Sequence, residues 1–165
     1  MTLHSAPCGT EVAPVDKLWT HVFSFKDLSD LALKLASELQ SWGSREPFCL
    51  WLTGPLGAGK TTITGEVLRQ LGLPREIPVT SPTYTYMNEY QIGQNWYAHL
   101  DLYRSSAGLS SEDLGLADAR PYRGLFVEWP ELKANDPYLK ATHLLSIDFG
   151  PNPDEREVTL CRLSQ

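Results

Sequence analysis

The chain is predicted to form an α/β three-layer sandwich, with a mixed central sheet of parallel core strands and antiparallel hairpins and with helices on both faces. Three observations predict it. Phe48–Leu52 is a short continuous apolar run that leads through a glycine-rich turn into a helix-patterned segment. Gly124–Val127 is a second such run, and it stops at Glu128. Two stretches, 84–103 and 143–163, fold back around turn-forming residues and read as hairpins. Continuous apolar strands suit the doubly covered centre of a parallel sheet, whereas alternating ones suit its flanks.

Taken in order, residues 1–18 contain Pro7, Gly9 and Pro14 and read as a loosely ordered extension to a single domain over 19–165. Trp19–Phe25 alternates weakly, which predicts a short or edge strand. A helix follows. Asp27 is placed to cap it, Asp30 suits its positive end, and Leu28, Leu31, Leu35, Leu39 and Trp42 recur at three- and four-residue steps until Gly43.

Beyond the glycine-rich turn, Ile63, Val67, Leu68 and Leu71 share one side of a second helix that stops at Gly72, with Pro74 beyond. Gly65 inside that helix costs roughly 1 kcal/mol relative to alanine, which predicts close packing against the sheet. Pro78 and Pro82 exclude both a helix interior and a central strand from Ile77–Thr83, leaving a structured loop. Gly93 turns the first hairpin, Leu109–Ala119 is expected to be a short acidic helix, and Pro151–Asp154 turns the last hairpin.

With 165 residues the chain suits one ordinary domain. Twenty acidic against 14 basic residues give a net charge of −6. A protein that grips phosphodiester backbone by itself needs a basic field, so direct binding to DNA or RNA is not expected, and any RNA would be held by a partner. Cys8, Cys49 and Cys161 are odd in number and lack metal-ligand spacing, which fits a reducing compartment. Neither a signal peptide nor an apolar run of membrane-crossing length is evident, so a soluble cytoplasmic location is expected.

The turn itself reads Gly54-Pro55-Leu56-Gly57-Ala58-Gly59-Lys60-Thr61-Thr62 and fits the spacing of a phosphate loop, or P-loop. Its strand-to-helix setting makes the predicted sandwich P-loop NTPase-like. The glycines let successive backbone N–H groups converge on a β-phosphate. Lys60 reaches the β- and γ-phosphates, and Thr61 opens a helix whose free amides and dipole favour an anion. The Thr61 hydroxyl can take a coordination position on Mg²⁺.

Glu128 ends a buried strand, the place from which a carboxylate holds Mg²⁺ beside such a loop; the alternative is a cap or surface pair. Asp101 lies between Leu100 and Leu102 and needs a metal shell or a partner such as Arg104. Strand alternation puts His99 on the same face as Asp101. Ser81 and Thr83 lie on the proline-bounded loop, where they can sense a γ-phosphate or merely cap turns. Trp129 either packs beside Pro130 or lines the nucleotide surface.

Four motifs now stand in order: the phosphate loop at 54–62, Ser81-Pro-Thr-Tyr-Thr85, His99-Leu-Asp-Leu-Tyr-Arg104 and Val127-Glu-Trp-Pro-Glu131. Together they resemble the bacterial TsaE family, formerly YjeE, over roughly residues 20 to 163. The family's members are small ATPases needed to make N6-threonylcarbamoyladenosine (t6A) next to the anticodon of tRNA. By motif position, the resemblance implies that Gly54, Leu56, Gly57, Ala58, Gly59, Lys60, Thr61 and Thr62 bind ATP phosphates, with Ser81, Thr83 and Trp129 contributing to the nucleotide site. It implies Thr61 and Glu128 as Mg²⁺ ligands and Asp101, with Lys60, as catalytic. It further implies a nucleotide cycle acting on the partner proteins TsaD and TsaB.

Two rival readings share the loop. A small-molecule kinase would need an acceptor site and a basic lid, for which Arg120 and Arg123 are the nearest basic pair after the first hairpin. A nucleotide-gated binding subunit would hold ATP without needing to cleave it.

Overall fold

The computed structural model describes residues 15–43, 46–104, 110–117, 120–130 and 135–163. In order, the elements are β1 (Val15–Ser24), α1 (Leu28–Gly43), β2 (Phe48–Thr53), α2 (Lys60–Gln70), β3 (Met87–Ile92), β4 (Asn95–Asp101), β5 (Gly124–Glu128), β6 (His143–Phe149) and β7 (Glu155–Leu163). All seven strands make one sheet in the order β1-β7-β6-β2-β5-β4-β3. β2 is central and parallel to both β5 and β6, and β4 continues the parallel core beside β5. The β3–β4, β6–β7 and β1–β7 pairs are antiparallel.

The apolar run of β2 is buried on both faces because successive side chains enter different cores. Phe48, Leu50 and Leu52 join Leu35 and Leu39 of α1, Ile63, Val67 and Leu68 of α2, and Phe126, Leu145 and Ile147 of the sheet. Cys49 and Trp51 point the other way, to Leu100, Leu102, Val127 and Leu144. Each fully buried leucine contributes about 1.5–3 kcal/mol. That second face is closed by Leu116 and by a 3-10 helix, Pro137–Leu139, held where the Trp51 indole donates to the Leu139 carbonyl at 2.8 Å.

Local differences from expectation have physical causes. β1 starts at Val15, inside the stretch read as an extension, because antiparallel pairing with β7 reaches Val15↔Leu163; residues 1–14 lie outside the described residues. A 3-10 turn, Phe25–Asp27, precedes α1, and Ser24 caps that turn by accepting from the Lys26 amide. The acidic segment is not a helix over 110–117, where turns end in Gly115 at φ 75; Leu109, Asp118 and Ala119 lie outside the described residues. Gly65 does pack closely, but against the 77–83 loop and not the sheet: an added Cβ would lie 3.3 Å from the Val79 Cβ. Among the described residues no helix is long and apolar enough to cross a membrane.

One buried group gives the fold a pH dependence. His143 is fully enclosed against Trp42, its ring centroid 5.3 Å away and edge-on. The Thr142 hydroxyl donates to the Cys49 carbonyl and lies 2.9 Å from His143 Nδ1, so Nδ1 carries the imidazole proton. Burial, assisted by the Arg162 charge, lowers the imidazole from its ordinary 6.5 to about 4. Between those values the unfolded chain binds the extra proton, so stability falls as pH falls from about 6.5 to about 4. Urea unfolding across that window should show His143→Leu losing less stability than the parent chain per pH unit, by up to about 1.4 kcal/mol. Equal slopes would show that the buried ring accepts a proton.

Candidate functional site

β2, β5 and β4 run parallel and end together, which brings their carboxyl ends to one edge of the sheet, where α/β folds place ligands. Leu52 is the register partner of Glu128, and Asp101 is another. The cleft at this edge has a volume of about 670 Å³. Of the residues singled out in the sequence, Leu56, Gly57, Gly59, Lys60, Thr61, Thr62, Ser81, Thr83, Asp101, Glu128 and Trp129 line it. Gly54 and Ala58 do not: Ala58 is fully buried in the core beneath the loop, and Gly54 lies against β6.

The loop's shape depends on glycine at two places. Gly54 has φ 140, and a Cβ there would sit 2.2 Å from the Ile147 carbonyl oxygen, a backbone atom of β6 that cannot yield. Gly59 has φ 105 and forms the N-cap of α2 without any side-chain bond, so the first amides of the helix are left for something in the cleft. Lys60, 5% exposed, lays its ammonium across the loop, donating to the carbonyls of Gly54 at 2.8 Å and Pro55 at 2.9 Å. Its Nζ lies 3.9 Å from the centre of the Trp129 ring.

Glu128, 3% exposed, accepts from the Thr61 hydroxyl and from His99 Nε2, both at 2.7 Å and both on Oε1. With the carboxylate accepting, Nε2 carries the histidine proton, and the fully buried ring fixes the carboxylate's rotamer. The Thr61 hydroxyl and the Glu128 carboxylate therefore stand side by side as hard oxygen donors at the head of α2. This hard, oxygen-only pair fits Mg²⁺. Among the described residues no cluster of three or more His, Cys, Asp or Glu side chains could hold a metal, so a cation here would draw its other ligands from phosphate and water.

Asp101, also 3% exposed, is the hub of a second cluster. Its Oδ2 accepts from Ser81 at 2.6 Å and from Thr83 at 2.7 Å, while Oδ1 accepts from the Tyr103 amide at 3.0 Å. The proline-bounded loop is therefore tied directly to the strand carboxylate. Arg104, considered as a partner for Asp101, instead stands over the Tyr84 ring with 4.8 Å to its centre. Trp129 takes a left-handed backbone, φ 57, which a bulky residue adopts only when its surroundings impose it. The twist turns its ring onto Lys60 and to within 4.9 Å of the Tyr103 ring centre, so it lines the cleft.

Four lining or supporting residues were not assigned from sequence. His99 shared a face with Asp101 by alternation, but its bond to Glu128 depends on the β4–β5 register. Tyr103, Phe25 and Arg156 also line the cleft, the last from the far hairpin. No local pattern marks them.

Parallel strands feeding a glycine loop and helix, with two carboxylates on adjacent strand ends, define a P-loop α/β domain. Matched over residues 23–158 by the family model for "Threonylcarbamoyl adenosine biosynthesis protein TsaE", the chain belongs to the TsaE family. It is 34% identical over 125 residues to the tRNA threonylcarbamoyladenosine biosynthesis protein TsaE of Haemophilus influenzae, covering 75% of this chain and 73% of that one. The Bacillus subtilis protein of the same name is 40% identical over 111 residues, covering 67% and 66%. The crystal structure of Bacillus subtilis YdiB superposes with a TM-score of 0.61 at 26% identity, over 92% of this chain and 88% of the other.

Proposed function

We propose that this chain is a Mg²⁺-dependent ATPase that supports t6A modification of tRNA by acting on a complex of TsaB and TsaD. The observation that carries the ATPase reading is the convergence of Lys60, Thr61, Glu128 and Asp101 on one cleft at the head of α2. The biosynthetic reading is supported by membership of the TsaE family and by the names of its relatives.

In this mechanism the loop amides and the Lys60 ammonium bind the β- and γ-phosphates, holding the nucleotide in one orientation. Thr61 and Glu128 would hold Mg²⁺, which when bound neutralises charge on the β- and γ-oxygens. Asp101 orients a water for in-line attack at the γ-phosphorus and takes up its proton, while the bond to the bridging oxygen breaks to leave ADP and inorganic phosphate. Ser81 and Thr83, bonded to the same carboxylate, report the γ-phosphate to the surface loop. Coupling to the partner complex requires that the ATP and ADP forms bind it with different affinities.

The arginine pair considered for a kinase's basic lid lies away from the cleft. Arg120 and Arg123 precede β5 and so lie at the end of the strands opposite the cleft, where Arg120 stacks on Trp96 and pairs with Glu89. A reconstitution with TsaB, TsaD and tRNA tests the proposal. Phosphate release should be slow for the chain alone, rise when the pair is added, and accompany repeated rounds of modification. Turnover unaffected by the pair would separate this ATPase from the modification reaction.

A further inference from the structure

Arg156, at the start of β7, is 8% exposed and has no carboxylate within ion-pair distance among the described residues. Its guanidinium is held by carbonyls instead. Nε donates to Ala58 at 3.1 Å, and Nη2 reaches Gly57 at 3.5 Å, both on the phosphate loop. Nη1 donates to Pro153 at 2.9 Å and to Glu155 at 2.7 Å, within the β6–β7 turn. Two aromatic rings flank the group, Phe25 with its centre at 5.0 Å and Phe149 at 4.7 Å. Both rings are exposed, Phe149 by 58%.

The consequence follows from peptide geometry. In a trans peptide the C=O and N–H point in opposite directions. Pulling the Ala58 carbonyl toward Arg156 therefore turns the Gly59 N–H away from it. Gly59 lines the cleft and caps α2, so its amide is one of those available to a β-phosphate. The Ala58 amide is already used within the loop, donating to Pro55 at 3.1 Å.

We propose that Arg156 is a positioning residue for nucleotide binding: from the C-terminal hairpin it fixes the peptide that presents the Gly59 amide to the cleft. This rests on the nucleotide-binding reading above. Lysine cannot replace it, because a point charge lacks the planar fork that meets carbonyls of loop and turn at once and lacks the flat faces that Phe25 and Phe149 cover.

The test uses the 165-residue chain and ADP with Mg²⁺. Titration calorimetry should give Arg156→Lys a dissociation constant raised about tenfold or more, since one well-placed hydrogen bond to a charged group is worth about that factor. A merely structural role would not move the second readout, the ¹⁵N–¹H signal of Gly59. ADP should shift it strongly in the parent chain and much less in folded Arg156→Lys. Phe149→Leu, a surface change that uncovers one face of the guanidinium, should weaken ADP binding about twofold to fivefold.

A folded Arg156→Lys with parental affinity and a parental Gly59 response would overturn the proposal. Should that variant fail to fold by circular dichroism, unchanged affinity in Phe149→Leu overturns it instead. A parent chain that takes up no ADP would sink the nucleotide-binding reading itself, and this inference with it.

Discussion

Lys60→Ala is expected to raise the ATP dissociation constant by about 10²-fold or more while leaving the nucleotide-free fold nearly as stable as before. The ammonium would bridge two phosphates, and each charge-assisted bond contributes about 1.5–3 kcal/mol, so losing both costs at least two factors of ten. The effect on the free protein is a difference of opposing terms. Lys60 gives up two charge-assisted bonds, to Gly54 and Pro55, worth about 1.5–3 kcal/mol each, and its place on Trp129, worth about 1 kcal/mol. Against this, a cation that is only 5% exposed no longer has to be kept out of water. The melting temperature should therefore move by less than about 5 °C. Lys34 provides the control. It lies over the Trp19 ring at 4.7 Å, away from the cleft, and Lys34→Ala removes the same charge without touching the loop. Calorimetric titration of both variants checks the assignment, and an unaltered ATP affinity in Lys60→Ala would refute it.

What could be read from the chain depended on how far apart the interacting residues lie in sequence. The phosphate loop was legible because its glycines, lysine and threonine are contiguous and their spacing has one physical use. Glu128 was legible because an apolar run that stops at a carboxylate marks a strand end, and β5 places that end beside Leu52. Asp101 was singled out by a different argument, that a carboxylate between Leu100 and Leu102 needs a partner or a metal shell. Its hydrogen bonds to Ser81 and Thr83 span 20 and 18 positions and required the hairpin to fold back over the loop. Arg156 was not legible. It reaches Ala58 across 98 positions, and that contact exists only because β7 lies beside β6, next to the loop-bearing strand. The acidic segment at 110–117 misled for the opposite reason. Its local composition suits a helix, but Gly115 at φ 75 ends the turn before a second can form.

Asp101→Ala should separate binding from cleavage. None of the three groups that bond its carboxylate is a loop amide or Lys60: they are the hydroxyls of Ser81 and Thr83 and the amide of Tyr103. Removing it therefore leaves the phosphate cradle intact, and ATP affinity should stay within a few-fold of the parent value. Phosphate release is expected to fall by about 10²–10⁴-fold, the range contributed by a positioned general base. The Ser81 and Thr83 hydroxyls, 2.6 Å apart, lose their common acceptor, so the loop that would answer to the γ-phosphate loses its tie to β4 at the same time. Reduced response to the partner pair should accompany the loss of cleavage. Single-turnover phosphate release and multiple-turnover tRNA modification, measured on the same variant, give a clear division. If Asp101→Ala binds ATP and partners normally and still supports repeated modification, ATP acts only as a ligand that gates binding. If modification stops after one round, cleavage is the step that resets the complex.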